Sequence, residues 1–131
     1  MIGSSELRIA CPADLSLVGS LRHALASFLE VFGLDRELIE DIVLASGEVL
    51  ANAVEHGSAS VDNGRVELLA RSVGDGTLAV EIRDSGRFIE RDRVAGRGFG
   101  LGIVRHIARS VEIDVREGTC VRMIFDPQAI P

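Results

Sequence analysis

The hydrophobic period of this chain changes part-way along it, and that change restricts the folds open to it. As far as His56 the apolar residues recur at helical spacing, whereas after Arg65 most of them alternate. "ADLSLVGSLRHALASFLEVFG" sets Leu17, Leu21, Leu25, Phe28 and Phe32 at helical spacing, with Asp14 as its N-cap and Gly33 as its stop. Asp35 caps a second predicted helix, "RELIEDIVLASGEVLANAVEHG", which runs to about His56 with Gly57 as its stop. "RVELLARSV" and "TLAVEIRD" read as strands joined by the turn signal "GDG". "SGRFIERDRVAGRGFG" is irregular, and a third helix follows it to about Ser110. "VEIDVRE" and "CVRMIFD" form a second hairpin around "GT", and "SELRIAC" gives a short strand near the start. With helices early and hairpins late, an antiparallel or mixed sheet covered on one face is expected, not a doubly wound parallel one.

Composition narrows the function. The 131 residues suit a single domain spanning 1–131 with a proper core. No apolar run approaches the roughly 18–20 residues of a membrane span, and "MIGSSELRIA" lacks the basic start of a signal peptide. A cytoplasmic protein is therefore expected, and Cys11 and Cys120, which fit no metal spacing, are read as free thiols. The net charge of −6 argues against direct nucleic-acid binding. All 14 basic residues are arginine. Without lysine there is no Walker A loop and no strand lysine of an ordinary protein kinase.

Several polar residues fall where apolar ones are expected. In "TLAVEIRD", Leu78, Val80 and Ile82 share one face and Ala79, Glu81 and Arg83 the other, so Asp84 ends the buried row. An aspartate opening a turn explains the same residue. Thr119 repeats the pattern, in register with Val121, Met123 and Phe125, although threonine is an ordinary strand residue. On the second helix Leu38, Ile42, Ala45, Val49 and Ala53 make the apolar stripe. Glu48 and Asn52 lie about 40° apart on its margin, and a solvated flank and a cleft-lining pair are both open readings. His56 continues that row and is read as a helix-end residue facing the dipole, in preference to a metal ligand.

The stretch "GRGFGLG" places four glycines in seven residues directly before the third helix. Alternating glycines bring backbone N–H groups close to an anion, and a helix start adds a positive end. A flexible hinge is the competing explanation. The spacing is not G-x-G-x-x-G, which disfavours a dinucleotide fingerprint. Arg83, Arg87, Arg91, Arg93 and Arg97 crowd the segment 83–97 that leads into it, which suits a phosphate-bearing ligand or a protein partner.

Four pieces in one order, "EVLANAVEHG", "DSG", "GRGFGLG" and "GT", resemble the Bergerat ATP-binding fold of the histidine-kinase, Hsp90, gyrase and MutL superfamily. Within it the chain resembles the anti-sigma factor serine/threonine kinases of the RsbW and SpoIIAB type, over nearly its whole length. The resemblance implies an α+β, two-layer sandwich: a mixed, mostly antiparallel sheet covered on one face by about three helices. It implies ATP and Mg²⁺ as cofactors, Asn52 as the Mg²⁺ ligand and Glu48 as the general base. It implies that Asp84 accepts the adenine amino group, with Thr119 nearby and Gly86 letting the base approach. Gly98, Gly100, Leu101 and Gly102 would contact phosphates through their backbone, and Arg97 would meet the terminal phosphate. The implied partners are a STAS-domain anti-sigma antagonist, which is phosphorylated, and a sigma factor, which is sequestered. A homodimer is also implied, with helix 13–33 open to reading as dimer surface or as core.

Two departures stand out. Phe88 occupies the place of the second glycine in the D-x-G-x-G pattern, and only nine residues separate Gly86 from Gly96. They favour an alternative in which the domain is a non-catalytic, nucleotide-dependent switch that recruits a regulatory partner. A coupled ATP hydrolase and a histidine kinase fit less well, since neither a second domain nor a phosphoacceptor helix is seen, and His23 is read as a core-flanking residue.

Overall fold

The computed structural model describes residues 5–57, 64–74, 76–85 and 101–127. Strand β1 (Glu6–Pro12) is followed by a short 3₁₀ turn (Leu15–Leu17), helix α1 (Val18–Glu30) and helix α2 (Arg36–Asn52). A π-helical turn, Ala53–Gly57, extends α2. Strands β2 (Arg65–Ser72) and β3 (Leu78–Asp84), helix α3 (Leu101–Ile107), and strands β4 (Ser110–Asp114) and β5 (Thr119–Phe125) complete the order.

The five strands form one sheet in the order β1-β2-β3-β5-β4, and every described pairing is antiparallel. The expectation of a mixed sheet thus sharpens to an antiparallel one. The register explains the burial pattern. Val66, Leu68 and Ala70 of β2 pair with Asp84, Ile82 and Val80 of β3, and Val121, Met123 and Phe125 of β5 pair with Ile82, Val80 and Leu78. These side chains share one face, and α1 and α2 bury Leu21, Leu25, Leu29, Ile42, Val49 and Leu50 against it. The result is a two-layer sandwich.

Local chemistry sets the helix ends. Asp14, expected to cap the first helix, instead caps the 3₁₀ turn by accepting from the Ser16 N–H at 2.9 Å, and α1 follows Leu17 with no side-chain cap. Helix α1 ends at Glu30 with Val31 as its C-cap, and Gly33, at φ +69°, takes the left-handed conformation in the turn that follows. Asp35 holds the N-cap position of α2 but makes no side-chain capping bond. The mid-helix Gly47 has a packing reason: a Cβ there would lie 3.0 Å from Arg22 Nε, so α1 lays an arginine side chain across α2.

Two expected boundaries are corrected. The second helix does not stay α-helical to His56, since it passes into the π turn directly after Asn52. The wider turn lets both Ala53 and Val54 face the core. The third helix ends at Ile107, not near Ser110. Arg109 N–H donates to the Ile124 carbonyl at 2.7 Å, and Ser110 already pairs with β5. Strand pairing there outweighs the apolar helical pattern. The same hairpin also makes β4 shorter than "VEIDVRE", ending it at Asp114.

Candidate nucleotide site

Asp84 and Thr119 end the core-facing row of the sheet. They are cross-strand partners on β3 and β5, and each is only 8% exposed. Thr119 Oγ1 is buried with no hydrogen-bond partner among the described residues. A buried hydroxyl left without a partner costs roughly 1–3 kcal/mol. The helix packed nearby is α2, which with its π turn contacts β3. Its last two turns carry the half-buried Glu48 and Asn52 on one margin, with Asn52 the final α-helical residue. Helix α3 packs against α2 in turn. Its second residue, Gly102, is exposed, and a Cβ there would meet nothing within 4 Å. Packing among the described residues therefore does not require glycine at 102.

The structure thus pairs Asp84 with Thr119 and sets Glu48 and Asn52 one turn apart on a helix that contacts β3. Leu101 opens α3. Gly86, Phe88, Arg97, Gly98 and Gly100 lie outside the described residues. Sequence reasoning missed Ser85. Its hydroxyl accepts a hydrogen bond from the Arg65 N–H at 2.9 Å, at the point where β3 gives way to the glycine-rich segment. A serine directly after a strand, in a turn-forming tripeptide, was the available signal.

The donor set suits the implied cofactors. An asparagine amide oxygen and a glutamate carboxylate are hard oxygen donors of the kind Mg²⁺ prefers, and Mg²⁺ commonly uses one or two protein ligands beside phosphates and water. Among the described residues no group of three or more His, Cys, Asp and Glu side chains could hold a metal by itself. Asp84 and Thr119 offer an acceptor and a hydroxyl, which match the amino group and ring nitrogen of adenine.

The opposite face of the sheet has a different chemistry. Arg8, Leu69, Glu81, Arg122 and Glu112 form one cross-strand row. The Glu81 side chain is 7% exposed, and its Oε2 accepts from Arg122 Nη2 at 3.0 Å and from Arg122 Nε at 3.1 Å. Its Oε1 accepts from Arg83 at 3.4 Å. Beside it, partial burial pushes the Cys120 thiol up from its ordinary pKa. Hydrogen bonds from Arg116 hold the exposed Asp114 carboxyl down at about 2. Both cysteines are free, as expected from the sequence. Among the described residues no helix is long and apolar enough to cross a membrane.

Comparison with known proteins assigns this architecture to a class. Residues 11–125 match the model of the histidine kinase-like ATPase domain, and the chain belongs to that family. It is similar to a solved structure of the RsbU and RsbW domains of Rv1364c from Mycobacterium tuberculosis, at TM-score 0.75 and 27% identity, over 93% of this chain and 32% of that one. A histidine kinase domain from a blue-light activated kinase of Erythrobacter litoralis shares the fold, at TM-score 0.60 and 22% identity, over 89% of this chain and 62% of that one. Among curated proteins it is similar to a gliding motility regulatory protein of Myxococcus xanthus, 28% identical over 104 residues, which is 72% of this chain and 13% of that protein. The chain thus spans a small part of that relative and about a third of the Mycobacterium chain. It is a histidine kinase-like ATPase domain of the Bergerat fold, similar to a structure that contains an RsbW domain.

Proposed function

We propose that this domain binds Mg-ATP and acts as a serine/threonine protein kinase, phosphorylating a STAS-domain anti-sigma antagonist and sequestering a sigma factor. The observation that carries the nucleotide part is the buried, unpartnered Thr119 Oγ1 beside Asp84, at the end of an otherwise apolar row. The partner part rests on the similarity to a structure that contains an RsbW domain.

In this reading Asp84 accepts the adenine amino group, Thr119 bonds the ring edge and Gly86 leaves room for the base. The Asn52 amide oxygen would be a ligand to Mg²⁺, whose charge would offset that of the phosphates. Backbone N–H groups of Gly98, Gly100, Leu101 and Gly102 would bind phosphate oxygens, and the Arg97 guanidinium would meet the terminal phosphate. Bound ATP would supply the γ-phosphoryl group, its bond to the β–γ bridging oxygen breaking to release ADP as the serine oxygen bonds to phosphorus. The Glu48 carboxylate takes the proton of the attacking serine hydroxyl, and such general-base help contributes about 10²–10⁴ in rate. Phe88, in place of a glycine, favours one other reading, a switch that binds nucleotide without transferring phosphate.

Calorimetric titration of Mg-ATP into wild type and Asn52→Ala, with a labelled-phosphate assay on STAS proteins, separates the readings. Kinase function requires Mg²⁺-dependent binding that Asn52→Ala loses, and transfer that falls by about 10²-fold or more in Glu48→Ala with ATP binding kept. Binding with no transfer by wild type selects the switch. Absence of binding by wild type contradicts both.

A further inference from the structure

We infer that Ser85 is a positioning residue for the adenine end of the site, its hydroxyl standing in for its own carbonyl in the β2–β3 ladder; the inference rests on the nucleotide reading above. The register pairs Val66 with Asp84, which makes Arg65 and Ser85 the next opposed residues. A regular hydrogen-bonded antiparallel pair exchanges two main-chain bonds. Here Ser85 N–H donates to the Arg65 carbonyl at 3.2 Å, but the return bond from Arg65 N–H goes to Ser85 Oγ at 2.9 Å.

This substitution has a structural consequence. Among the described residues, the pair beyond Asp84 thus keeps one main-chain bond and replaces the other with a side-chain acceptor. The strand that anchors it is held from its other side as well, because Ala13 N–H donates to the Gly64 carbonyl at 2.9 Å. Asp84 therefore lies between Val66 on β2 and Thr119 on β5, with the very next residue clamped. A carboxylate that must meet one exocyclic amino group needs a fixed direction, and a misplaced peptide after it turns that carboxylate away. The serine defines both where β3 stops and how Asp84 is presented.

Alanine at 85 removes the acceptor from Arg65 N–H. The strand end must then either pair through its carbonyl, which draws the chain back into the sheet, or open. Threonine keeps the hydroxyl. The test compares wild type, Ser85→Ala and Ser85→Thr in two measurements: amide exchange of Arg65 N–H in nucleotide-free protein, and calorimetric titration with Mg-ATP. Expected are faster Arg65 exchange and about five-fold weaker ATP binding in Ser85→Ala, in keeping with one hydrogen bond, and recovery of both in Ser85→Thr. Unchanged ATP affinity in Ser85→Ala, whatever its melting temperature, overturns the positioning role. Unchanged Arg65 exchange overturns the ladder argument. If wild type binds no ATP, the nucleotide reading itself fails and the positioning role goes with it, while the exchange data still decide the ladder.

Discussion

Glu81 and Asp84 stand three residues apart on β3 and both are buried, yet they face opposite sides of the sheet. Glu81 is surrounded by its own protein: Arg122 reaches one oxygen with two nitrogens and Arg83 reaches the other. Asp84 sits against a threonine whose hydroxyl has no partner among the described residues. The outer carboxylate completes a network internally, which is what stability asks of a buried charge. At the inner corner the Thr119 hydroxyl has no partner among the described residues, which stability alone disfavours and the proposed ligand would explain.

That contrast can be broken from the outer face first. Arg122→Ala strips the two-nitrogen contact from a buried carboxylate. Because Arg122 is itself 41% exposed, the loss is set near the lower end for charged hydrogen bonds, about 1–2 kcal/mol. Thermal denaturation should fall by roughly 5 °C, with ATP affinity unchanged. A loss of ATP binding at constant stability would show that the two faces are not separate.

The inner face gives the converse. Thr119→Val keeps the shape of the side chain and removes the unpartnered hydroxyl, so the fold should gain about 1 kcal/mol or stay level. Mg-ATP affinity should drop several-fold in the same variant. If stability falls instead, the hydroxyl has a structural role and the corner is not held open for a ligand.

A smaller effect sharpens the electrostatics of the outer face. The Asp114 carboxyl is held at about 2, below its ordinary 3.8, by Arg116. A depressed carboxylate pKa adds stability that is present above the unfolded value and is lost as pH falls through the folded one. The window is thus from about 4 down to about 2. An NMR titration should place the Asp114 midpoint near 2 in wild type and return it toward 3.8 in Arg116→Ala.

Much of this architecture was legible from period alone. The α2 stripe Leu38, Ile42, Ala45, Val49 and Ala53 is buried throughout, and alternation placed Asp84 and Thr119 on the core side of their strands. What period could not show was set by tertiary contacts. Glu81, on the alternate face of β3, reads as exposed, but arginines from its own strand and from β5 cover it. The end of α3 yields to the Arg109–Ile124 bond that starts β4. The π turn after Asn52 has no sequence signature, since it arises where Ala53 and Val54 must both reach the core. For the site, Glu48, Asn52, Asp84 and Thr119 can be placed on their elements. The glycine-rich stretch before Leu101, which gave the resemblance much of its specificity, lies outside the described residues.

In the proposed reading the inner corner of β3 and β5 recognises adenine while the outer face serves the fold. It is tested most directly by calorimetric titration of Mg-ATP into wild type, Asp84→Asn and Glu81→Gln side by side. Asp84→Asn should weaken ATP binding by about 10–100-fold, the worth of a hydrogen bond to a charged acceptor. Glu81→Gln should bind ATP as wild type does while melting at a lower temperature. Equal ATP affinity in wild type and Asp84→Asn would contradict the account.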